Sequence, residues 1–186
     1  MAGKPVIHVS YAKRVDHIIS WYEDIFKEIS LKRDLEGAMD IHDEIVQNRV
    51  IMNFSQQGTS VNQVIAGVSA MMDNAQMDTS VIVVDGFDFT KASVEDVAAF
   101  KSFAGKKEVE LWFTDDYHRD DSDGPTLNEK GIPTNLVSFM EQIDVIFTLK
   151  AEKDYLHLYL VKDHGIINTE DLPLKLDPKS LLIAEV

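Results

Sequence analysis

The stretch VIVVDGFDF at residues 81–89 sets four apolar residues in front of a single carboxylate, Asp85. A buried strand that ends this way delivers an acid to the edge of a sheet, where it can ligate Mg²⁺ or accept hydrogen bonds from the segment that follows. A second concentration of acid follows at Asp115, Asp116, Asp120, Asp121 and Asp123, with His118 among them. Thr114, Asp115, Asp116 and His118 are the loop candidates for a site there. An EF-hand reading with Gly124 at its sixth position fails, because it puts Arg119 and Lys130 where acids are required. A solvated acidic loop is the favoured account of the run. For Asp85 the favoured reading is a strand-end acceptor capping the next segment, helped by Gly86, with a Mg²⁺ ligand as the sharper alternative.

A nucleotide site needs a phosphate cradle as well as an acid. The P-loop pattern G-x-x-x-x-G-K-[ST] joins a strand to a helix, so that backbone N–H groups, a lysine and a hydroxyl converge on phosphates and Mg²⁺. Only Gly3-Lys4 and Gly105-Lys106 offer the Gly-Lys pair, followed by Pro5 and Lys107 respectively. Neither completes the pattern, and no G-x-G-x-x-G is present. The six histidines show no H-E-x-x-H spacing. His17 falls on the polar side of a helix, and His157 alternates with Leu156 and Leu158 in a strand. Nothing marks an activated serine.

These residues must be positioned by alternating strands and helices. PVIHVS (5–10) reads as a strand. Val15, Ile18, Ile19, Tyr22, Ile25, Phe26 and Ile29 follow at helical spacing. A weaker helix over 38–48 leads to a strand, RVIMNF (49–54). Gly58, Thr59 and Ser60 open a helix with the stripe Val61, Val64, Ile65, Val68, Met71 and Met72. After strand 81–85, Ser93 caps a helix predicted to end at Gly105, and VELWFT (109–114) is the next strand. A long loop (115–132) precedes a helix after Pro133 carrying Leu136, Val137, Phe139, Met140 and Ile143. DVIFTL (144–149) and YLHLYLV (155–161) form a C-terminal hairpin, and 168–186 is a tail with an edge strand at 180–185. The pattern predicts one α/β domain over 1–186, three-layered, with a mainly parallel sheet.

Composition narrows the partners. The 186 residues carry a formal net charge of −14, which repels nucleic acid and anionic membrane. There is no cysteine, so thiol chemistry and disulfides are excluded. No apolar run approaches the ~20 residues of a membrane span. The expectation is a cytoplasmic protein that binds no nucleic acid by itself and has no membrane attachment.

In order and spacing the segments resemble the RecA-like P-loop ATPases, nearest to the KaiC and RadA branch, over residues 2–167. AGKPVIHVSYAKRVDHI resembles the family's second strand and its helix. VIVVDGFDF resembles the Walker B strand, with Asp85 in the metal-carboxylate position. VSFMEQIDVIFTLKAEKDYLHLYLVKDHGI resembles the helix, the Asp-Val strand and the strand ending in Lys-x-Arg-Gly. The chain begins where the family's P-loop helix ends, and Tyr11-Ala12-Lys13 stands where the family carries its catalytic Glu. The resemblance therefore implies a degenerate member without the Walker A segment, non-catalytic, with no cofactor beyond a conceivable Mg²⁺.

It also implies action through association, as a homo-oligomer or beside an intact RecA-like ATPase subunit. Lys162, Asp163 and His164 fall where the family reaches a neighbour's nucleotide, His164 replacing Arg. Two alternatives stay open. One is a Toprim-like or other Mg²⁺-dependent phosphoryl-transfer enzyme using Asp85, Asp121 and Asp123; the other is an ATPase truncated at its N-terminus. With the family's central first strand absent, 109–114 is expected to pair with 144–149, unless a partner chain or 180–185 fills the place.

Overall fold

The computed structural model describes residues 3–11, 14–33, 36–55, 58–115, 127–178 and 182–183. The chain divides into two compact units, one built from Met1–Ser20 and Glu36–Asp116, the other from Trp21–Leu35 and Tyr117–Val186.

The first unit is a parallel sheet with helical crossovers. Its strands are β1 (Val6–Ser10), β2 (Arg49–Asn53), β3 (Val81–Asp85) and β4 (Glu110–Thr114), in the order β2-β1-β3-β4. Between them run α1 (Val15–Arg33, which belongs to the other unit from Trp21 on), α2 (Ala38–Gln47), α3 (Val61–Ala75) and α4 (Val94–Lys107). The β1-to-β2 step moves one way along the sheet, and the two later steps move the other way. Right-handed crossovers therefore place α3 and α4 together on one face, and these two helices are in contact. Ile7, Val9, Ile82 and Val84 supply the sheet's share of this core, all at most 1 % exposed. Val64 and Val68 of α3 and Val97, Phe100 and Phe103 of α4 close over it. Gly67 lets α3 come close: a Cβ there would sit 3.3 Å from Phe54 and 3.6 Å from Met52.

Ser93 caps its helix as the spacing to Asp96 predicts, and Ser60 does the same for α3. Ser60 and Gln63, and Ser93 and Asp96, form reciprocal capping boxes that satisfy the first amides of α3 and α4. Gly105, by contrast, does not end α4. The helix runs on to Lys107, and Glu108 takes the left-handed position at φ 55°. Lys106 and Lys107 then sit in the last turn, where cations favour the helix dipole.

The second unit holds an antiparallel sheet, β5 (Val145–Ala151), β6 (Leu156–Asp163) and β7 (Ile166–Leu176), in that order. The predicted hairpin is β5–β6. The stretch read as the start of a tail is instead β7, which pairs Leu176 with Leu156 and Ile166 with Asp163. Leu172, Leu174 and Leu176 alternate with Pro173 and Lys175 there, a strand signal masked by the acidic and Pro-containing TEDLP. Ile183 bridges Leu176, and the rest of 180–185 apart from Leu182 lies outside the described residues. The helix expected after Pro133 is a single 3-10 stretch, Thr134–Phe139. Its buried residues, Leu136 and Phe139, are three apart, which suits three residues per turn.

One expectation fails outright. Strand β4 pairs with β3 and β5 pairs with β6; among the described residues no ladder joins β4 to β5. A short turn gives β5 its partner β6 at little cost in loop-closure entropy, and β5, β6 and β7 form a sheet of their own.

Candidate functional site

The four parallel strands are in register, and the last residues of each align as Asn53, Ser10, Asp85 and Thr114. A polar row thus crosses the carboxyl edge of a mainly apolar sheet. Connections leave the adjacent strands β1 and β3 towards opposite faces, which makes their ends the switch point where α/β sheets bind ligands. Asp85 is 7 % exposed at this point. Thr114 Oγ1 donates to its Oδ1 at 2.6 Å, and the Gly86 amide reaches Thr114 Oγ1 at 3.4 Å. The turn out of β3 depends on Gly86, whose φ is 72°. The backbone carbonyl of Asp85 accepts from the Tyr11 amide at 2.9 Å, joining β1 to β3 beyond the last ladder pair.

Sequence reasoning missed His8. It lies two residues before Ser10, on the same side of β1, and is 6 % exposed. Its Nε2 stands 3.9 Å from Asp85 Oδ2. The available signal was a lone polar residue inside the apolar run VIHVS. In a parallel sheet such a residue faces whatever polar group the neighbouring strand offers two positions on.

Tyr11, read as the replacement for a catalytic Glu, continues the edge as packing. Its ring lies 5.9 Å from that of Phe87 and 6.5 Å from that of Phe54. Phe87 in turn meets Phe89, Phe100 and Phe113 at 5.0, 5.7 and 5.2 Å. The buried Tyr11 hydroxyl has no hydrogen-bond partner among the described residues, and burial, with the negative charge of Asp96 behind it, pushes its pKa up to about 12. Beyond Phe87, Asp88 closes the turn into α4. It accepts from the Thr90 amide at 3.0 Å and from Lys91 Nζ at 2.6 Å. The Lys91 hydrogen bond, then that of Thr90, holds the Asp88 carboxyl below the usual carboxylate range.

As a metal site the edge is sparse. Among the described residues no group of three His, Asp or Glu is arranged to hold an ion. Asp85 has the Thr114 hydroxyl and the His8 imidazole among its polar neighbours, and Mg²⁺ requires oxygen ligands in octahedral array. Of the loop candidates, Thr114 is brought to Asp85 and Asp115 follows it. Asp116, His118, Asp120, Asp121 and Asp123 lie outside the described residues.

In the second unit the expected interface triplet splits. Lys162 is 7 % exposed and turns inward, its ammonium donating to the carbonyls of Met140 and Ile143. It closes the end of the 3-10 stretch and is not an outward arm. Asp163 and His164 remain at the surface, His164 at φ 51° in the β6–β7 turn, with its Nδ1 2.6 Å from Asp163 Oδ1.

No protein-family model matches the sequence, and no curated protein matches it. Solved structures do. The chain superimposes on a DnaB-like replicative helicase, described with its interactions with primase, at a TM-score of 0.63 and 13% identity. That alignment covers 98% of this chain and 52% of the helicase, so the chain spans about half that protein's length. A second solved structure, an isolated ATPase domain, aligns at a TM-score of 0.55 and 10% identity, over 98% of this chain and 75% of that one. At these identities the likeness is one of architecture, and the α/β fold, with its four-stranded parallel sheet and helices, is that of RecA-like helicase ATPase domains.

Proposed function

We propose that this chain is a non-hydrolysing RecA-like domain, akin to the KaiC and RadA branch, that works by association: with copies of itself, or beside an intact RecA-like ATPase subunit. The observation that carries the reading is the state of the β1–β3 edge. Where the resemblance calls for a water-polarising carboxylate, Tyr11 packs against Phe54 and Phe87. Where it calls for a metal carboxylate, Asp85 is buried and bonded to Thr114. A Tyr ring cannot act as general base for water while its hydroxyl stays protonated to about pH 12. The edge thus contributes stability in place of chemistry.

Association is tested by size-exclusion chromatography with light scattering, alone and after mixing with RecA-like ATPases from the same cell. A mass above that of one 21.0 kDa chain, or co-elution with such an ATPase, is expected. A strict monomer that co-elutes with none of them contradicts the reading.

A further inference from the structure

An open groove of about 480 Å³ lies in the second unit, lined by Met140, Glu141, Asp144, Lys162, Gly165 and Ile167, with His164 at its edge. We infer that it is a docking groove for a cationic segment of a partner protein, one that seats an apolar side chain between Met140 and Ile167 and sets Arg or Lys against the rim. The inference deepens the associative reading and rests on it.

Three features select this occupant. First, the walls are mainly apolar. Ile167 is 39% exposed and its neighbour Ile166 67% exposed, so the strand carries apolar surface on both sides. A Cβ placed on Gly165 would meet nothing within 4 Å, so the floor is open. Second, the rim is acidic: Glu141 and Asp144 line the groove, and the half-exposed Asp163 carboxylate stands beside His164. Third, the one lysine in the lining is buried, with its ammonium engaged by the Met140 and Ile143 carbonyls, so it is not offered to an acidic occupant. A formal charge of −14 on the whole chain adds long-range attraction for a cation and repels acidic peptides and nucleic acid.

The test follows methyl resonances of Met140 and Ile167 in the full chain. Three blocked peptides are titrated: Gly-Leu-Arg-Leu-Arg-Gly, the same peptide with Glu for Arg, and the same with Gly for Leu. The basic, leucine-bearing peptide is expected to shift both methyls, and the other two to bind at least tenfold more weakly. Glu141→Gln with Asp144→Asn should weaken binding at least fivefold. Gly165→Trp should fill the groove and abolish binding; its φ lies outside the left-handed region, so the backbone tolerates a side chain. Equal binding of acidic and basic peptides, no shift at all, or shifts mapping elsewhere would overturn the inference. So would the same methyls moving on dilution of the protein alone, which would make a second copy the occupant. Light scattering keeps the two proposals apart, since a chain that assembles but ignores the peptides loses only the groove.

Discussion

Thr114→Val separates a structural Asp85 from a metal-poised one. Thr114 gives Asp85 a 2.6 Å hydrogen bond, and the carboxylate is 7 % exposed. A hydrogen bond to a charged group contributes ~1.5–3 kcal/mol, and the partial exposure of Thr114 lets water recover part of it, leaving ~1.5–2 kcal/mol. For a chain of 186 residues each kcal/mol moves the melting temperature by ~2–4 °C, so a fall of about 3–8 °C is expected. Asp85→Ala should fall at least as far, and the double variant should fall by less than the sum, because both substitutions remove one interaction. The assay is thermal unfolding by tryptophan fluorescence in a Trp21→Phe background, where Trp112 of β4 is the remaining reporter. Acids held ready for a ligand commonly cost stability, and their removal raises it. A higher melting temperature for Asp85→Ala, or a change under about 1 °C for Thr114→Val, would refute the structural account.

Other expectations concern single residues. Tyr11→Phe should leave stability unchanged or raise it by up to ~1 kcal/mol, since the buried hydroxyl has no partner to lose among the described residues; a loss above that size would show a bond still to be found. Because the folded Tyr11 pKa, about 12, lies above the unfolded value near 10, its stabilisation is complete below about pH 10 and lost as pH rises towards 12. Absorbance at the tyrosinate band should show a late-titrating component that Tyr11→Phe removes. Asp88 runs the other way: its depressed pKa gives stability that is present above about pH 3.9 and lost as pH falls further. Acid unfolding of Asp88→Asn should therefore start from a lower stability and show a shallower pH dependence. Lys162→Met leaves two carbonyls without their ammonium donor and should cost ~1–3 kcal/mol, read through Trp21 in a Trp112→Phe background; unchanged stability would return Lys162 to an outward role.

The parallel sheet was legible because its strands are short, apolar and separated by periodic helices, and the capping box of α4 was visible as Ser93 followed three residues on by Asp96. Asp85 was legible as a strand end. Its partners were not, because register decides them: nothing in the string of residues says that Ser10, Asp85 and Thr114 share one row, or that His8 lies diagonal to the acid. The inward turn of Lys162 was equally hidden, since a lysine after an apolar strand reads as surface until the carbonyls of Met140 and Ile143 are found beneath it. β7 was missed because acid and proline residues interrupt its leucines. The split into two sheets was missed because pairing β4 with β5 was argued from a missing strand, and a strand's absence does not determine which edges meet.

The proposal that the β1–β3 edge contributes stability in place of chemistry implies that it binds no nucleotide, and this is met most directly by calorimetric titration of the full chain with ATP and ADP, with and without Mg²⁺. The account predicts no heat of binding in any of the four titrations. Micromolar, Mg²⁺-dependent binding that is lost in Asp85→Ala would contradict it.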